Sequence, residues 1–420
     1  MRVHLTTIGC KLNQAEAAGW ARELAAMGHE IVATPTAADL CIVNTCTVTH
    51  VAARKSRNMV RRCAKARPHW GIVVAGCYAQ ISPSEARALE GVSLVLGSAD
   101  KDALVDTVVT RLGLPARLQA ANMPAALAGR TRALVKVQDG CDNACTYCIV
   151  RVARGRQRSR PMAAILEEIA AREAEGYQEI VLTGVHIGAY GRERGESLAE
   201  LVAEILSHTH FPRLRLSSIE PWDFSTQLLR LWENPRLCRH LHLPLQSGCD
   251  ATLQRMGRRY TTRFYSDCVA RARSAMGDLA VTTDVIVGFP GEDEQEFAES
   301  LACVASLGLA RVHVFPFSPR PGTPATSLPA QVPPQLKEER AARMRVVADA
   351  SALAFQRRFL GRCMQVLWES ACGAQWSGLT DNYLRVQVTS AHPLRNRILP
   401  ARLLEACGEL MRGELQTQCN

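Results

Sequence analysis

The chain has 420 residues, long enough for about three domains that each bury a core of their own. Hydrophobic residues make up 47% of it and charged residues 21%, which excludes disorder, collagen-like repeats and a long coiled coil. Lys and Arg number 50 against 40 Asp and Glu, and the formal charge of +10 favours an anionic partner such as nucleic acid.

No apolar stretch approaches the roughly eighteen residues that a membrane span needs, and the first ten residues lack the pattern of a signal peptide. We therefore expect a cytoplasmic protein with no membrane partner. Disulfides are rare in a reducing cytosol, so cysteines at fixed spacing there are more often metal ligands or catalytic thiols. The chain has 16 cysteines, and their placement is the main functional signal.

Residues 1–112 alternate short apolar runs with amphipathic segments. The runs predicted as strands are Val3–Ile8, Leu40–Val43, Ile72–Ala75 and Leu94–Leu96. This repetition predicts an amino-terminal α/β domain with an open parallel sheet. Cys10, Cys46 and Cys77 each follow one of these runs. Because the carboxyl ends of parallel strands share one edge of the sheet, these three cysteines are expected to converge there.

Residues 113–130 contain prolines and many alanines without periodicity, which predicts a linker. A second α/β series occupies residues 131–360 and ends in a basic helix near its carboxyl end. The predicted strands are Ala133–Gln138, Glu179–Thr183, Arg213–Ser217, His240–Leu245, Val281–Val287 and Arg311–Phe315. Six strand–helix units predict a partial (β/α)6 barrel, with its chemistry at the carboxyl ends of the strands.

Residues 361–420 change character and predict a small all-β module. Its strand-like stretches are Val366–Glu369, Tyr383–Val388 and the residues around Ile398. Gly378 and the pair Asp381-Asn382 are interpreted as turn residues between them.

Cys141, Cys145 and Cys148 form a C-x3-C-x2-C run directly after the first predicted barrel strand. Three thiolates suit a 4Fe-4S cluster, because they leave its fourth iron free for another ligand. A structural zinc site usually has four protein ligands, and no nearby residue is an obvious fourth. The cluster is the favoured interpretation, with zinc as the alternative.

This run, at the start of a six-unit barrel, resembles the radical S-adenosylmethionine superfamily. The resemblance implies that S-adenosylmethionine binds the free iron and is cleaved by an electron from the cluster, giving a 5′-deoxyadenosyl radical. The sequence identifies no catalytic residue beyond the cluster ligands.

The whole chain is similar to the methylthiotransferases, which combine an amino-terminal domain with three cysteines, a radical barrel and a terminal TRAM β-barrel. The matching motifs are Thr7-Ile8-Gly9-Cys10-Lys11-Leu12-Asn13-Gln14, Asn44-Thr45-Cys46-Thr47-Val48 and Gly76-Cys77-Tyr78-Ala79-Gln80. The resemblance implies that Cys10, Cys46 and Cys77 hold an auxiliary 4Fe-4S cluster that takes part in sulfur supply. It also implies two S-adenosylmethionine molecules, a methyl donor and a radical source.

The family modifies adenosines beside the anticodon of tRNA or an aspartate in a ribosomal protein. Residues 217–221 and 378–386 look most like the branch that acts at C2 of N6-threonylcarbamoyladenosine at position 37 of tRNA. N6-isopentenyladenosine in tRNA and the ribosomal-protein aspartate are the alternatives within the family. Outside it stand a radical enzyme whose auxiliary cluster only transfers electrons, and a zinc-dependent RNA-binding protein. The sequence does not identify the electron donor, the sulfur source, the tRNAs used or the oligomeric state.

Several other residues are candidates for cofactor and RNA contacts. Gly184, Glu220 and Gln246 follow barrel strands and are predicted to contact S-adenosylmethionine. Arginines crowd together after the cysteine run, and Arg154 and Arg158 among them are predicted to bind RNA. Tyr383 and Arg385 are predicted surface contacts of the TRAM-like module, through stacking and charge.

Overall fold

The computed structural model describes residues 1–114 and 130–418. The linker predicted at residues 113–130 therefore lies for the most part outside the described residues. The strands are β1 Arg2–Thr7, β2 Glu30–Ile31, β3 Leu40–Thr45, β4 Ile72–Gly76, β5 Val92–Leu96, β6 Arg132–Lys136, β7 Gln138–Asp139, β8 Arg158–Ser159, β9 Glu179–Thr183, β10 Arg213–Leu216, β11 His240–His242, β12 Ala280–Val287, β13 Arg311–Pro316, β14 Cys363–Cys372, β15 Gln375–Thr380, β16 Arg385–Thr389, β17 Ile398–Cys407 and β18 Leu410–Leu415.

The α-helices lie between these strands, and the longest leads into the terminal module. They are α1 Lys11–Ala26, α2 His50–Lys65, α3 Cys77–Ile81, α4 Pro83–Arg87, α5 Leu104–Leu112, α6 Val150–Arg154, α7 Met162–Ala174, α8 Leu198–His208, α9 Thr226–Arg230, α10 Asp250–Arg255, α11 Thr262–Ala275, α12 Glu294–Ser306 and α13 Pro334–Arg357. Within the described ranges, no helix is both long and apolar enough to cross a membrane.

The amino-terminal domain is built on a parallel sheet in the order β2-β1-β3-β4-β5. Its central strands β3 and β4 are buried along their whole length, as expected for a parallel sheet covered on both faces by helices. Strand β2 was not predicted from the sequence, because its two residues are too few to show an apolar pattern. The order places β1, β3 and β4 side by side, so the three chain segments that follow them leave from one edge.

The central domain is an open barrel of six parallel strands. Two three-stranded sheets, β6-β9-β10 and β11-β12-β13, are joined by bridges from Leu214 to Leu237 and from Ser218 to His242. The partial (β/α)6 barrel predicted from the sequence is therefore confirmed, and α13 matches the predicted basic helix. The barrel is open between β6 and β13, and helix α1 of the amino-terminal domain packs against the edge strand β6.

The carboxy-terminal module is a closed five-stranded barrel in the order β14-β15-β16-β18-β17. Gly378 was predicted as a turn residue, and that prediction is wrong: it lies inside β15. A Cβ atom on Gly378 would lie 2.4 Å from the carbonyl oxygen of Leu367 on β14, so glycine permits the close approach of the two strands.

The turn between β15 and β16 docks on the amino-terminal end of the central barrel. Arg215 on β10 donates to the carbonyl oxygen of Asp381 at 2.8 Å, and Arg239 pairs with the Asp381 carboxylate at 2.6 Å. Arg132 on β6 pairs with Glu369 on β14, also at 2.6 Å. These buried and half-buried charges fix the two barrels against each other.

Candidate functional site

The loop between β7 and α6 carries three half-buried cysteines, called here the barrel triad: Cys141, Cys145 and Cys148. The Thr146 N–H donates to the carbonyl oxygen of Met256 at 3.0 Å, which ties the loop to the end of α10. Gly140, just before the loop, has a φ of +68°, and a Cβ there would lie 1.9 Å from the carbonyl oxygen of Arg156. Only glycine fits this position, so the loop conformation is built into the backbone.

Arg258 places a positive charge beside the barrel triad. Its Nη1 lies 3.4 Å from the Sγ of Cys145, and its guanidinium group forms an ion pair with Glu220. The rings of Trp222 and Tyr260 each lie 5.0 Å from the guanidinium carbon. Held by the carboxylate and two rings, this cation is fixed next to the sulfur, where it stabilises negative charge.

His186 borders the barrel triad on another side. Its Nδ1 lies 4.0 Å from the Sγ of Cys141, and its Nε2 bonds Asp223, which also pairs with Arg192. Burial alone would lower the pKa of His186, but the hydrogen bond to Asp223 raises it to about 9. The carboxylate therefore fixes the orientation of the imidazole ring beside the cysteine.

The chemistry of the barrel triad fits a cationic iron–sulfur core that binds thiolates. Burial raises the pKa of Cys148 to about 12 and raises that of Cys145 as well. Metal ligands are thiolates, so binding of an iron–sulfur core would displace the protons of these sulfurs. Three thiolates are the protein ligand set of an iron–sulfur cluster with one open iron.

Spacing separates the cluster from the zinc alternative. Within the described residues, the only His, Cys, Asp or Glu side chains that bring three ligand atoms within 4.8 Å of one another are His242, Asp284 and His313. Three thiolates on one zinc ion, with Zn–S bonds of about 2.3 Å, would meet that limit. The cysteines are spread more widely than a single ion requires, which favours a larger group.

The second set of cysteines lies at the carboxyl edge of the amino-terminal sheet and is called here the sheet triad: Cys10, Cys46 and Cys77. Cys10 follows β1, Cys46 follows β3 and Cys77 begins α3 after β4. Gly9 has a φ of +111°, and a Cβ there would meet Cβ and Sγ of Cys46 at 2.7 and 2.9 Å. Burial raises the pKa of Cys46 to about 11, and the charges of Cys77 and Cys10 contribute. The expected convergence of the three strand ends is thus present.

Arg154 on α6 links the two triads. It donates to Glu16 and Asp139 at 2.9 Å each and to the side chain of Asn13 at 2.5 Å. Glu16 also pairs with Lys101. The prediction that Arg154 binds RNA is wrong, because the residue is only 5% exposed and its guanidinium group is bonded to buried side chains. It holds the amino-terminal domain against the loop of the barrel triad.

Arg320 approaches the sheet triad from the loop after β13. It donates to the hydroxyl of Thr47, next to Cys46, at 2.5 Å, and it is 6% exposed. Its Nε has no hydrogen-bond partner, and no described carboxylate pairs with it. An unpaired buried cation is costly. The residues therefore fit an anionic group at the sheet triad, such as a thiolate-bound iron–sulfur cluster.

The three residues predicted to contact S-adenosylmethionine lie in different surroundings. A Cβ on Gly184 would lie 2.9 Å from Oε1 of Gln138, which accepts hydrogen bonds from the N–H groups of Val185 and His186. Glu220 pairs with Arg258. Gln246 has a φ of +66°, and its N–H bonds the carbonyl oxygen of Asp284 at 2.8 Å. Their contacts with the cofactor stay predictions.

The remaining RNA candidates divide between surface and interior. Arg385 is exposed on β16, and the Arg158 side chain is 42% exposed, 3.5 Å from Asp139. The surface position predicted for Tyr383 is wrong. Its ring stacks on His240 of the central barrel, with centroids 4.5 Å apart, because the docked turn carries it inward.

Sequence reasoning missed the supporting residues. Arg258 stands out in the sequence only as one of several nearby arginines, and nothing there separates it from a surface cation. Gln138 and Arg320 give no signal at all, because their roles come from loops that meet only in the fold. Lys11 lies within a recognised motif without an assigned role, and its side chain reaches Tyr383.

Two known family models match the two regions that carry the cysteine triads. The radical SAM superfamily matches residues 135–304, and the family described as uncharacterized protein family UPF0004 matches residues 2–97. Among solved structures, the radical S-adenosylmethionine methyltransferase TsrM from Kitasatospora setae superposes with a TM-score of 0.57 at 15% identity. That superposition covers 77% of each chain and shows the fold alone.

Named relatives are similar over nearly the whole chain. The threonylcarbamoyladenosine tRNA methylthiotransferase MtaB of Thermotoga maritima is 40% identical, covering 87% of this chain and 86% of its own. The protein of the same name from Bacillus subtilis is 34% identical, covering 95% and 93%. The tRNA-2-methylthio-N(6)-dimethylallyladenosine synthase of Desulfosudis oleivorans is also 34% identical, covering 90% and 87%. With these relatives and the two cysteine triads in place, the chain belongs to the radical S-adenosylmethionine tRNA methylthiotransferase family.

Proposed function

We propose that this chain methylthiolates C2 of N6-threonylcarbamoyladenosine at position 37 of tRNA in the cytoplasm, using two S-adenosylmethionine molecules and two 4Fe-4S clusters. The observation that carries the reaction is the pair of cysteine triads joined through Arg154. Helix α6, which follows Cys148 closely, packs against α3, which begins at Cys77. Two sets of three thiols at one domain boundary suit a reaction that couples radical formation to sulfur transfer.

Each triad has its own part in the proposal. The barrel triad would hold the cluster that cleaves S-adenosylmethionine reductively, and the sheet triad would hold the cluster that supplies sulfur. Arg258 and His186 hold the loop of the barrel triad and fix positive charge beside its sulfurs. Arg320 does the same at the sheet triad.

The substrate proposal rests on the relatives and on the interior of the barrel. A relative with the threonylcarbamoyladenosine name is 40% identical, whereas four relatives with the dimethylallyladenosine name are 32 to 36% identical. The barrel interior carries Lys11, His242, Asp284 and His313 rather than an apolar lining. A polar, charged interior favours an N6-substituent with a carboxylate and a hydroxyl over an apolar one. Arg151 and Arg156 are exposed beside the cysteine loop and supply cations for the tRNA backbone.

Mass spectrometry of nucleosides from the tRNA of cells with and without the gene tests the proposal. Deletion is expected to remove the 2-methylthio form of N6-threonylcarbamoyladenosine. The intact gene and a Cys372→Ala variant, whose exposed thiol lies in neither triad, should restore it, whereas Cys145→Ala and Cys46→Ala should not. Loss of the isopentenyl counterpart instead would overturn the substrate assignment, and no change in either nucleoside would overturn the tRNA assignment.

A further inference from the structure

The interior of the central barrel contains a polar group that the proposed chemistry does not use. We call it the lumen group: Lys11, His242, Asp284, His313 and Tyr383. The strand register gives the position of two of its members along the barrel axis. Asp284 is in register with His313, and the two residues lie three residues before the ends of β12 and β13, respectively. At about 3.3 Å per residue, Asp284 and His313 lie roughly 10 Å along the strands from the carboxyl ends of β12 and β13.

The lumen group comes from three domains. Lys11 begins α1, directly after Cys10, and reaches through the open side of the barrel. Its Nζ lies 5.6 Å from the centre of the Tyr383 ring, which the terminal module inserts from below. The Nδ1 of His242 bonds the hydroxyl of Thr282 at 3.0 Å, and its Nε2 lies 3.3 Å from the Asp284 carboxylate.

Space adjoins this group. A cavity of about 540 Å³ lies between β13, α13 and the turn of residues 380–385, and it reaches Thr282, His313 and Tyr383. The length from the strand ends down to His313 suits a purine base that carries an extended N6-substituent. The base would then lie near the cysteine loops, with its substituent among the lumen group.

The charges around Lys11 leave it without a counter-ion. Arg215 pairs with Glu179 at 2.7 Å, and Arg132 pairs with Glu369 at 2.6 Å. In the part of the chain that the structure describes, Lys11 has neither an ion pair nor a hydrogen bond; it contacts the face of the Tyr383 ring, and the Glu179 carboxylate, already paired with Arg215, acts on it only at a distance. One cation therefore remains unpaired at the floor of the barrel.

An unpaired cation selects an anion. His242, Asp284 and His313 have the ligand atoms of a divalent-cation site, but the neighbouring charges oppose one. Burial lowers the pKa of His313, the Asp284 carboxylate raises it, and the positive charges of Arg311 and Lys11 lower it again, so that the pKa stays below its ordinary value. The cations Arg311 and Lys11 on this side of the lumen oppose a divalent cation, and the unpaired Lys11 ammonium group attracts a carboxylate.

We propose that Lys11 selects the N6-substituent of the substrate: its ammonium group binds the carboxylate of the threonylcarbamoyl group in the barrel lumen. His313 lies in position to bond the hydroxyl of the same group, and the Tyr383 ring closes the floor beneath it. This inference rests on the proposed function, because it names the residue that distinguishes an anionic substituent from an apolar one. Lys11 is then a specificity residue, separate from the cluster ligands.

The test compares anticodon stem-loops of one sequence whose position 37 is threonylcarbamoyladenosine, isopentenyladenosine or plain adenosine. Kd is measured by fluorescence anisotropy with the full, cluster-loaded chain under anaerobic conditions. Lys11→Met is expected to reduce the preference for the threonylcarbamoyl stem-loop over plain adenosine by about tenfold to 150-fold, the range for a hydrogen bond to a charged group. Lys11→Arg should keep most of that preference.

A second comparison uses the wild-type chain alone and does not depend on how a variant folds. The methyl ester of the threonylcarbamoyl stem-loop keeps the shape of the substituent and removes its charge. It should bind more weakly than the free acid by a similar factor. Iron per chain and the EPR signal of Lys11→Met should match those of wild type, because Lys11 is not a cluster ligand.

The outcomes separate this inference from the proposed function. A wild-type chain that prefers the isopentenyl stem-loop would overturn the substrate assignment and the role of Lys11 together. A wild-type chain that prefers the threonylcarbamoyl stem-loop equally as acid and ester, or a Lys11→Met variant that keeps the full preference, would overturn the role of Lys11 alone.

Discussion

Replacing Arg154 by methionine should loosen the junction between the amino-terminal domain and the barrel. The guanidinium group bonds Glu16 and Asp139 at 2.9 Å and Asn13 at 2.5 Å, and it is almost fully buried. Methionine keeps much of the apolar volume but removes the charge. The two carboxylates then stay buried with fewer counter-ions, and that desolvated charge destabilises the folded state.

The structure sets the size of this effect. Removing one partner of a buried ion pair costs about 3–5 kcal/mol. Lys101 still pairs with Glu16, and Lys136 lies 3.1 Å from Asp139, so we expect the lower end, about 3 kcal/mol. For a cooperative unit of roughly 150–250 residues, that loss lowers the thermal midpoint by about 6–12 °C.

Differential scanning calorimetry of the cluster-loaded chain measures the midpoint of the first transition. Arg156→Met is the matched control, because the Arg156 side chain is 86% exposed and, among residues 1–114 and 130–418, forms an ion pair with Asp142 alone, at 3.4 Å. A surface pair of that kind contributes little, so the control should leave the midpoint nearly unchanged. If Arg154→Met behaves like the control, the buried network does not hold the domains together and this reasoning is refuted.

Two further predictions concern charge at the domain boundary. Burial alone would raise the pKa of Glu16, but the charges of Lys101 and Arg154 lower it to about 2 from an ordinary 4.5. Above pH 4.5 the ionised carboxylate therefore adds roughly 3 kcal/mol to the free energy of unfolding. This contribution is lost as the pH falls toward 2. Thermal midpoints between pH 6 and 3.5 should therefore fall less steeply for Glu16→Gln than for wild type; equal slopes would contradict the assignment. Arg320→Gln should make the reduction potential of a cluster at the sheet triad more negative by roughly 40–90 mV. The reason is that a nearby cation stabilises the added electron by on the order of 1–2 kcal/mol at an effective dielectric of about 20. Arg320→Lys keeps the positive charge and should therefore keep most of the wild-type potential. Redox titration followed by EPR, in chains whose barrel triad is replaced by alanine, measures this shift, and equal potentials in Arg320→Gln and wild type would show that Arg320 does not act on the cluster.

The sequence predicts the architecture well because each domain has a strong local pattern. Strand β4 and the central residues of β3 and β9 are apolar, as strands buried on both faces require. The cysteines follow strand ends, so the rule that parallel strands end at one edge predicts the convergence of the sheet triad.

The side chains around the triads could not be predicted in the same way. Arginine and tyrosine are residue types that commonly contact RNA, but the side chains of Arg154 and Tyr383 point inward and contact residues of other domains. Arg320 and Lys11 approach from loops or helices whose positions only the domain packing fixes. A single sequence carries no signal for such contacts between distant segments, whereas the covalent spacing of Cys141, Cys145 and Cys148 is visible directly.

The turn that carries Tyr383 has a consequence for how the protein is assembled. Six strands do not close a barrel, and here helix α1 lies along its open side while the terminal module plugs its lower end. Residues of all three domains therefore surround the lumen of the central barrel, and no single domain forms it alone. A chimaera that borrows the terminal module of a relative would exchange part of the chamber floor along with the RNA-facing surface. If the substrate base binds as proposed, recombination among such enzymes would change the residues around that base as well as the exposed surface of the terminal module.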